Sequence, residues 1–76
     1  MDATARRELL DALDLYFDAV ASQKTDRPAD LLAVFATVDA VEARHAAAMP
    51  PMLRHYFEGK SYRKARDFLH AMPGAA

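Results

Sequence analysis

The chain has 76 residues, of which 53% are hydrophobic and 17 are alanine, and its formal net charge is −1. A chain of this length forms one domain with a small core, since a single core of this size gives only roughly 3 to 5 kcal/mol of net stability. Cysteine is absent, which excludes disulfide frameworks, thiolate metal sites and cysteine nucleophiles but does not determine the redox compartment. The cytoplasm is the default expectation.

The first predicted element is an amphipathic helix over residues 3–23. Its large apolar residues recur at intervals of three and four, which indicates one buried face; they are Leu9, Leu10, Leu13, Tyr16, Phe17 and Val20. The opposite face is polar, with Arg7, Asp11, Asp14 and Asp18. Leu15 lies near this polar face and is a candidate protein contact. Because positions 2–8 carry several charged residues, we expect neither a secretory signal nor a membrane anchor at the start of the sequence.

A second helix is predicted over residues 28–48. Pro28 suits its first position, where the missing amide proton needs no hydrogen-bond partner, and Pro50 with Pro51 ends it. Its apolar face comprises Leu31, Val34, Phe35, Val38, Val41 and Met49. Leu32, at the edge of this face, is the second candidate protein contact. The first two helices should form an antiparallel hairpin.

Two shorter helices are predicted over residues 51–58 and 62–72, with Gly59 in a left-handed conformation at the end of the first and Ser61 as the N-cap of the second. The apolar sides of these helices comprise Met52, Leu53, Tyr56 and Phe57, and Tyr62, Ala65, Phe68, Leu69 and Met72. Pro73 and Gly74 should end the fourth helix. The predicted fold class is therefore all-α, a small four-helix domain in which the third and fourth helices close a long antiparallel helical hairpin.

Glu42 and His45 fall within the apolar arc of the second helix, where polar side chains need a partner. Their Glu-x-x-His spacing is the element that carboxylate-bridged metal bundles use, which makes them candidate metal ligands. The acidic residues of the first helix point outward, however, so the ligand count is short. We expect instead that Glu42 and His45 pair with each other or with Arg6, Arg54 or His55, and we predict no metal and no cofactor.

Charge is distributed unevenly along the chain. Residues 1–49 carry a net charge of −4 and residues 50–76 a net charge of +3, so either the two parts attract each other or the basic part binds an anionic partner. The fourth helix and its neighbours give a candidate basic binding face of Arg54, Lys60, Arg63, Lys64, Arg66 and His70. Binding of RNA or DNA phosphates through this face is the alternative function.

The segment Gly59 to Pro73 resembles the second helix of a tetratricopeptide repeat through Gly59, Tyr62, Lys64, Ala65, Leu69 and Pro73. This resemblance implies close packing of the fourth helix at Ala65. Residues 51–69, PMLRHYFEGKSYRKARDFL, are also similar to the C-terminal part of small uncharacterised bacterial helical proteins, which implies a compact helical domain and no assigned activity.

No combination of residues in the sequence forms a catalytic signature, so we expect no enzymatic activity. A small helical unit offers surfaces more readily than enclosed pockets. The sequence therefore predicts a protein–protein interaction module that binds either a second copy of itself, as a homodimer, or another protein, with no membrane partner.

Overall fold

A computed structural model describes residues 1–72 of the chain. Four α-helices follow one another: α1 (Ala3–Ser22), α2 (Leu31–His45), α3 (Pro51–Glu58) and α4 (Tyr62–Ala71). A 3₁₀ turn, Ala46–Ala48, continues α2 towards α3. Residues 1–72 contain no strand, and α1 packs against α2 as a hairpin. The predicted all-α fold class is thus confirmed. Pro73 and Gly74, predicted to end α4, lie outside the described residues.

Side chains fix both ends of α1. At its start, the Asp2 carboxylate accepts a hydrogen bond from the Ala5 amide at 2.8 Å, which satisfies one of the free amides of the first turn. At its end, the Ser22 hydroxyl donates to the Ala19 carbonyl at 2.7 Å and accepts from the Ala29 amide at 2.9 Å. Gln23 donates to the Ala29 carbonyl at 3.0 Å. These bonds fold the connection back towards α2.

The predicted start of α2 at Pro28 is wrong. The helix begins at Leu31, and Asp30 is its N-cap, since the Asp30 carboxylate accepts hydrogen bonds from the Leu32 amide at 3.0 Å and the Ala33 amide at 3.3 Å. Two satisfied amides stabilise a helix start more than a proline does, because proline at that position only avoids leaving a donor unpaired. Pro28 belongs to the turn.

Helix α4 runs antiparallel to α1. The Arg6 guanidinium donates to the Leu69 carbonyl at 2.8 Å near one end of the contact, and the rings of Tyr16 and Tyr62 meet edge to face at 4.7 Å near the other. Val20 lies beyond this contact and is 43% exposed. The expectation that Val20 points into the core is therefore wrong, because α4 does not reach that far along α1.

The core lies where α1, α2, α3 and α4 meet. Its fully buried large side chains are Leu9, Leu13, Val38, Leu53, Phe57 and Leu69. Ala65 is also fully buried, so α4 packs closely against its neighbours at this residue. Met52, predicted to point inward, is 52% exposed. None of the helices formed by residues 1–72 has the length and apolar composition that a membrane span needs.

The turn between α3 and α4 differs from the prediction. Lys60, with φ of 58°, takes the left-handed conformation, whereas Gly59 has φ of −82°. The Ser61 amide donates to the Tyr56 carbonyl at 2.7 Å and the Lys60 amide to the Phe57 carbonyl at 3.0 Å. This is the Schellman pattern, in which the residue after the C-cap is left-handed. Ser61 precedes α4 as predicted, but its side chain makes no capping hydrogen bond.

Candidate interaction surface

Helix α2 carries a strip of apolar, mostly small residues on its outer side. Val34 and Val38 are its only buried residues. Its exposed residues include the apolar set Leu32, Ala33, Ala36, Ala40 and Ala43, and the exposed side chains of Asp39 and Arg44 flank this set. The small side chains leave room for a further helix to pack closely against α2.

An open groove of about 250 Å³ runs between α1 and α2 beside this surface. Its lining consists of Glu8, Asp11, Ala12 and Leu15 from α1 and Thr37 and Val41 from α2. Leu15 lies about 200° around α1 from Phe17, whose ring is covered by the Arg66 guanidinium of α4 at 4.3 Å. The groove is therefore on the side of the hairpin that faces away from α4. We call the groove together with the exposed apolar side of α2 the outer surface.

The two candidate contact residues occupy different places. Leu15 is 44% exposed and lines the groove, whereas Leu32 is 81% exposed and does not. On α2, Leu32 lies about 140° from the groove residue Thr37. A single partner helix in the groove therefore contacts Leu15 and leaves Leu32 at or beyond its margin.

Glu8 connects α1 to the end of α2. Its Oε1 lies 2.6 Å from Nε2 of His45, and its Oε2 lies 3.4 Å from Nη1 of Arg44. The hydrogen bond to His45 lowers the pKa of the Glu8 carboxyl, and the Arg44 charge adds to this, while burial acts in the opposite direction. The expected partners of His45 are therefore wrong: it pairs with Glu8, 37 residues away in the chain.

Glu42 does not join His45 in a metal site. Burial, followed by the Asp39 charge, raises the pKa of its carboxyl, and the nearby Lys60 charge partly offsets both. Within residues 1–72 no group of three or more histidine, aspartate or glutamate side chains is placed to hold a metal ion. Of the two residues, His45 makes a polar contact across the helices, with Glu8.

The predicted basic face is exposed except at one residue. Its exposed members are Arg54, Lys60, Arg63, Lys64 and His70, and the exposed carboxylate of Asp67 lies among those on α4. Arg66 is partly buried because it covers Phe17, and the Lys60 ammonium lies 5.9 Å from the centre of the Phe35 ring. In the described part of the chain, cations of residues 50–72 thus contact aromatic rings of residues 1–49, and no ion pair joins these two parts.

The outer surface had a signal in the sequence. Ala33, Ala36, Ala40 and Ala43 recur at three and four residues, which places them on one side of α2. The groove itself requires the register between α1 and α2, which periodicity within one helix does not give.

No protein-family model, curated protein or solved structure matches the chain. The resemblances to a tetratricopeptide repeat helix and to small bacterial helical proteins therefore stay predictions.

Proposed function

We propose that the protein is a protein–protein interaction module that binds its partner through the outer surface. The observation that carries the proposal is that α2 exposes Leu32, Ala33, Ala36, Ala40 and Ala43 on the side that no helix of residues 1–72 covers. Small side chains on this side let a partner helix approach α2 closely, at an interaxial distance of about 8–10 Å.

The groove supports a macromolecular partner over a small-molecule substrate. Its volume of about 250 Å³ lies below the range of roughly 300–1,000 Å³ for pockets that enclose small ligands. Ala12, Leu15 and Val41 give it an apolar lining suited to one or two apolar side chains of a partner. We propose the cytoplasm as the place of this interaction.

The second candidate function is nucleic-acid binding through the basic face, which four exposed lysine and arginine side chains favour. It uses a different side of the molecule. Phosphate binding depends on Arg63 and Lys64 of α4, whereas the proposed protein interaction depends on α2, so variants on the two helices distinguish the functions.

Affinity capture with variants of each face tests the proposal. The tagged chain is recovered from a lysate of its own cells, with and without nuclease, as wild type, Ala40→Glu, Ala21→Glu and Arg63→Ala with Lys64→Ala. Ala21 is an exposed alanine of α1 outside the groove, so Ala21→Glu controls for the added charge. We expect a nuclease-resistant protein partner that is lost only with Ala40→Glu. Material lost on nuclease treatment and with the α4 double variant would instead support nucleic-acid binding.

A further inference from the structure

The exposed side of α2 follows a heptad pattern. Ala33, Ala36, Ala40 and Ala43 are separated by three, four and three residues, which is the spacing of the a and d positions in a two-stranded coiled coil. All four side chains are exposed. Alanine at these positions lets a second helix approach closely but buries little area per residue. The residues on either flank therefore determine which helix packs there.

The two flanks of this pattern are complementary to each other. In the same register, Leu32 and Asp39 take g positions, whereas Thr37 and Arg44 take e positions. In a parallel helix pair, the g residue of one chain lies beside the e residue five positions later in the other chain. Asp39 of one copy thus lies beside Arg44 of a second copy, and Leu32 beside the methyl group of Thr37. Two-fold symmetry makes each contact twice.

Arg44 can bind a second carboxylate. Its side chain is 62% exposed, and its contact with Glu8 is through Nη1 at 3.4 Å, whereas a guanidinium has five N–H donors. Asp39 forms no ion pair within residues 1–72. It lies about 140° around α2 from Arg44 of its own chain, so these two side chains cannot pair with each other.

An antiparallel pair of α2 helices is disfavoured by the same flanks. In that arrangement the g flanks of the two helices face each other, as do the e flanks, so Asp39 meets Asp39 and Arg44 meets Arg44, where like charges repel. A parallel pair also meets no obstacle within residues 1–72, because α2 packs on its own domain through Val34 and Val38, on the opposite side of the helix.

We propose that two copies of the chain associate through parallel packing of their α2 helices, with Asp39 of each copy paired to Arg44 of the other. This rests on the proposed interaction function and names the partner as a second copy. Because the alanine contacts bury little area, the charge pairs contribute a large share of the association and fix its direction.

Exchange of the two charges tests the pairing. Asp39→Arg brings two arginines together at each contact and Arg44→Asp brings two aspartates together, so each variant should weaken dimerisation about tenfold. The double variant restores opposite charges between the copies and should dimerise like wild type. Sedimentation equilibrium over a range of protein concentrations measures the dissociation constant.

The double variant isolates the contact between copies. Arg44→Asp also removes the contact with Glu8, but the double variant shares this loss and has the net charge of wild type. Residues 39 and 44 of one chain cannot pair, so recovery of dimerisation can come only from contact with the second copy. A double variant that dimerises as weakly as the single variants would overturn the proposal.

Cysteine cross-linking tests the orientation. The chain has no cysteine, so single cysteines are introduced at Ala33, at Ala40 or, as the control, at Ala21, which is exposed on α1. Equal positions lie opposite each other in a parallel pair, so Ala33→Cys and Ala40→Cys should each form disulfide-linked dimers on mild oxidation, and Ala21→Cys should not. Cross-linking only in a mixture of Ala33→Cys with Ala43→Cys would instead show an antiparallel pair.

Failure of this partner and failure of the proposed function give different results. A wild-type chain that stays monomeric at about 1 mM would overturn self-association. If that monomer still captures another protein from the lysate and loses it with Ala40→Glu, the interaction module stands and only the second copy is wrong. If Ala40→Glu alters neither dimerisation nor capture, the outer surface itself is wrong.

Discussion

Lys60 holds a backbone conformation that glycine adopts at lower cost. Its φ of 58° is left-handed, and a side chain there costs roughly 1–2 kcal/mol through contact of the Cβ with the backbone. The Lys60 ammonium lies over the Phe35 ring at 5.9 Å, which returns part of that cost. We therefore expect Lys60→Gly to be more stable than Lys60→Ala by about 1 kcal/mol, since both variants lose the ring contact and only glycine relieves the strain. Urea unfolding measures the difference; equal midpoints would contradict the strain.

The pairing of Glu8 with His45 should make stability depend on pH. Because the pKa of Glu8 is lowered below its ordinary value of 4.5, its contribution to stability is complete above that pH and is lost as the pH falls through the folded-state pKa. We expect Glu8→Gln to lower the urea midpoint at neutral pH, with the difference from wild type disappearing in acid. If the urea midpoints of wild type and Glu8→Gln still differed below the folded-state pKa of Glu8, the loss of stability would not be due to the charge of Glu8.

The same substitution at Glu42 should have the opposite sign. Burial raises the pKa of this carboxyl above 4.5, so its ionised form opposes folding at neutral pH. We expect Glu42→Gln to raise the urea midpoint at neutral pH and the gain to vanish as the pH falls below 4.5. A lowered midpoint would mean that attraction to Lys60 outweighs burial. Glu8→Gln and Glu42→Gln control for each other, because both remove one carboxylate.

The sequence predicted the need for partners at Glu42 and His45 but not the partners. Helical periodicity shows which residues of one helix share a side, whereas Glu8 and His45 meet through the register of α1 against α2. That register depends on the turn that Ser22 and Gln23 hold in place. Residue contacts across helices thus required the folded structure.

At the scale of helices, alanine has two different roles. Ala5, Ala12 and Ala19 are buried at seven-residue spacing on α1, whereas Ala40 is exposed on α2. We expect Ala19→Leu to lower the free energy of unfolding by about 1–3 kcal/mol, because added methylenes cannot fit a packed contact. Ala40→Leu should change it by no more than about 0.5 kcal/mol. Thermal unfolding followed by circular dichroism compares the two, and a large loss for Ala40→Leu would mean that the outer surface is already packed.

Helix boundaries followed from the sequence where one signal acted alone. Pro51 begins α3, and α1 ends within one residue of its predicted end. At the start of α2 two signals compete within three residues, Pro28 and Asp30, and the carboxylate wins because it satisfies two amides. The left-handed conformation after α3 was predicted at Gly59 but occurs at Lys60. The hydrogen bonds of the turn determine this position, and glycine alone does not.

For the whole molecule, helical periodicity in the sequence predicted the fold class. It did not predict which side of the α1–α2 hairpin α3 and α4 leave uncovered. Helices α3 and α4 pack on one side of the hairpin, where cations contact Phe17 and Phe35. The other side carries the groove and the exposed alanines of α2. Which side of the hairpin the two short helices cover depends on the geometry of the connection after Met49, which periodicity within α2 does not show.

Site-specific photo-cross-linking in cells tests the interaction surface most directly. A photoreactive amino acid replaces Ala40 of the outer surface or, as the control on α4, His70, which is also exposed. We predict a single protein adduct from position 40 and none from position 70. An adduct with protein or nucleic acid from position 70, with none from position 40, would contradict binding through the outer surface.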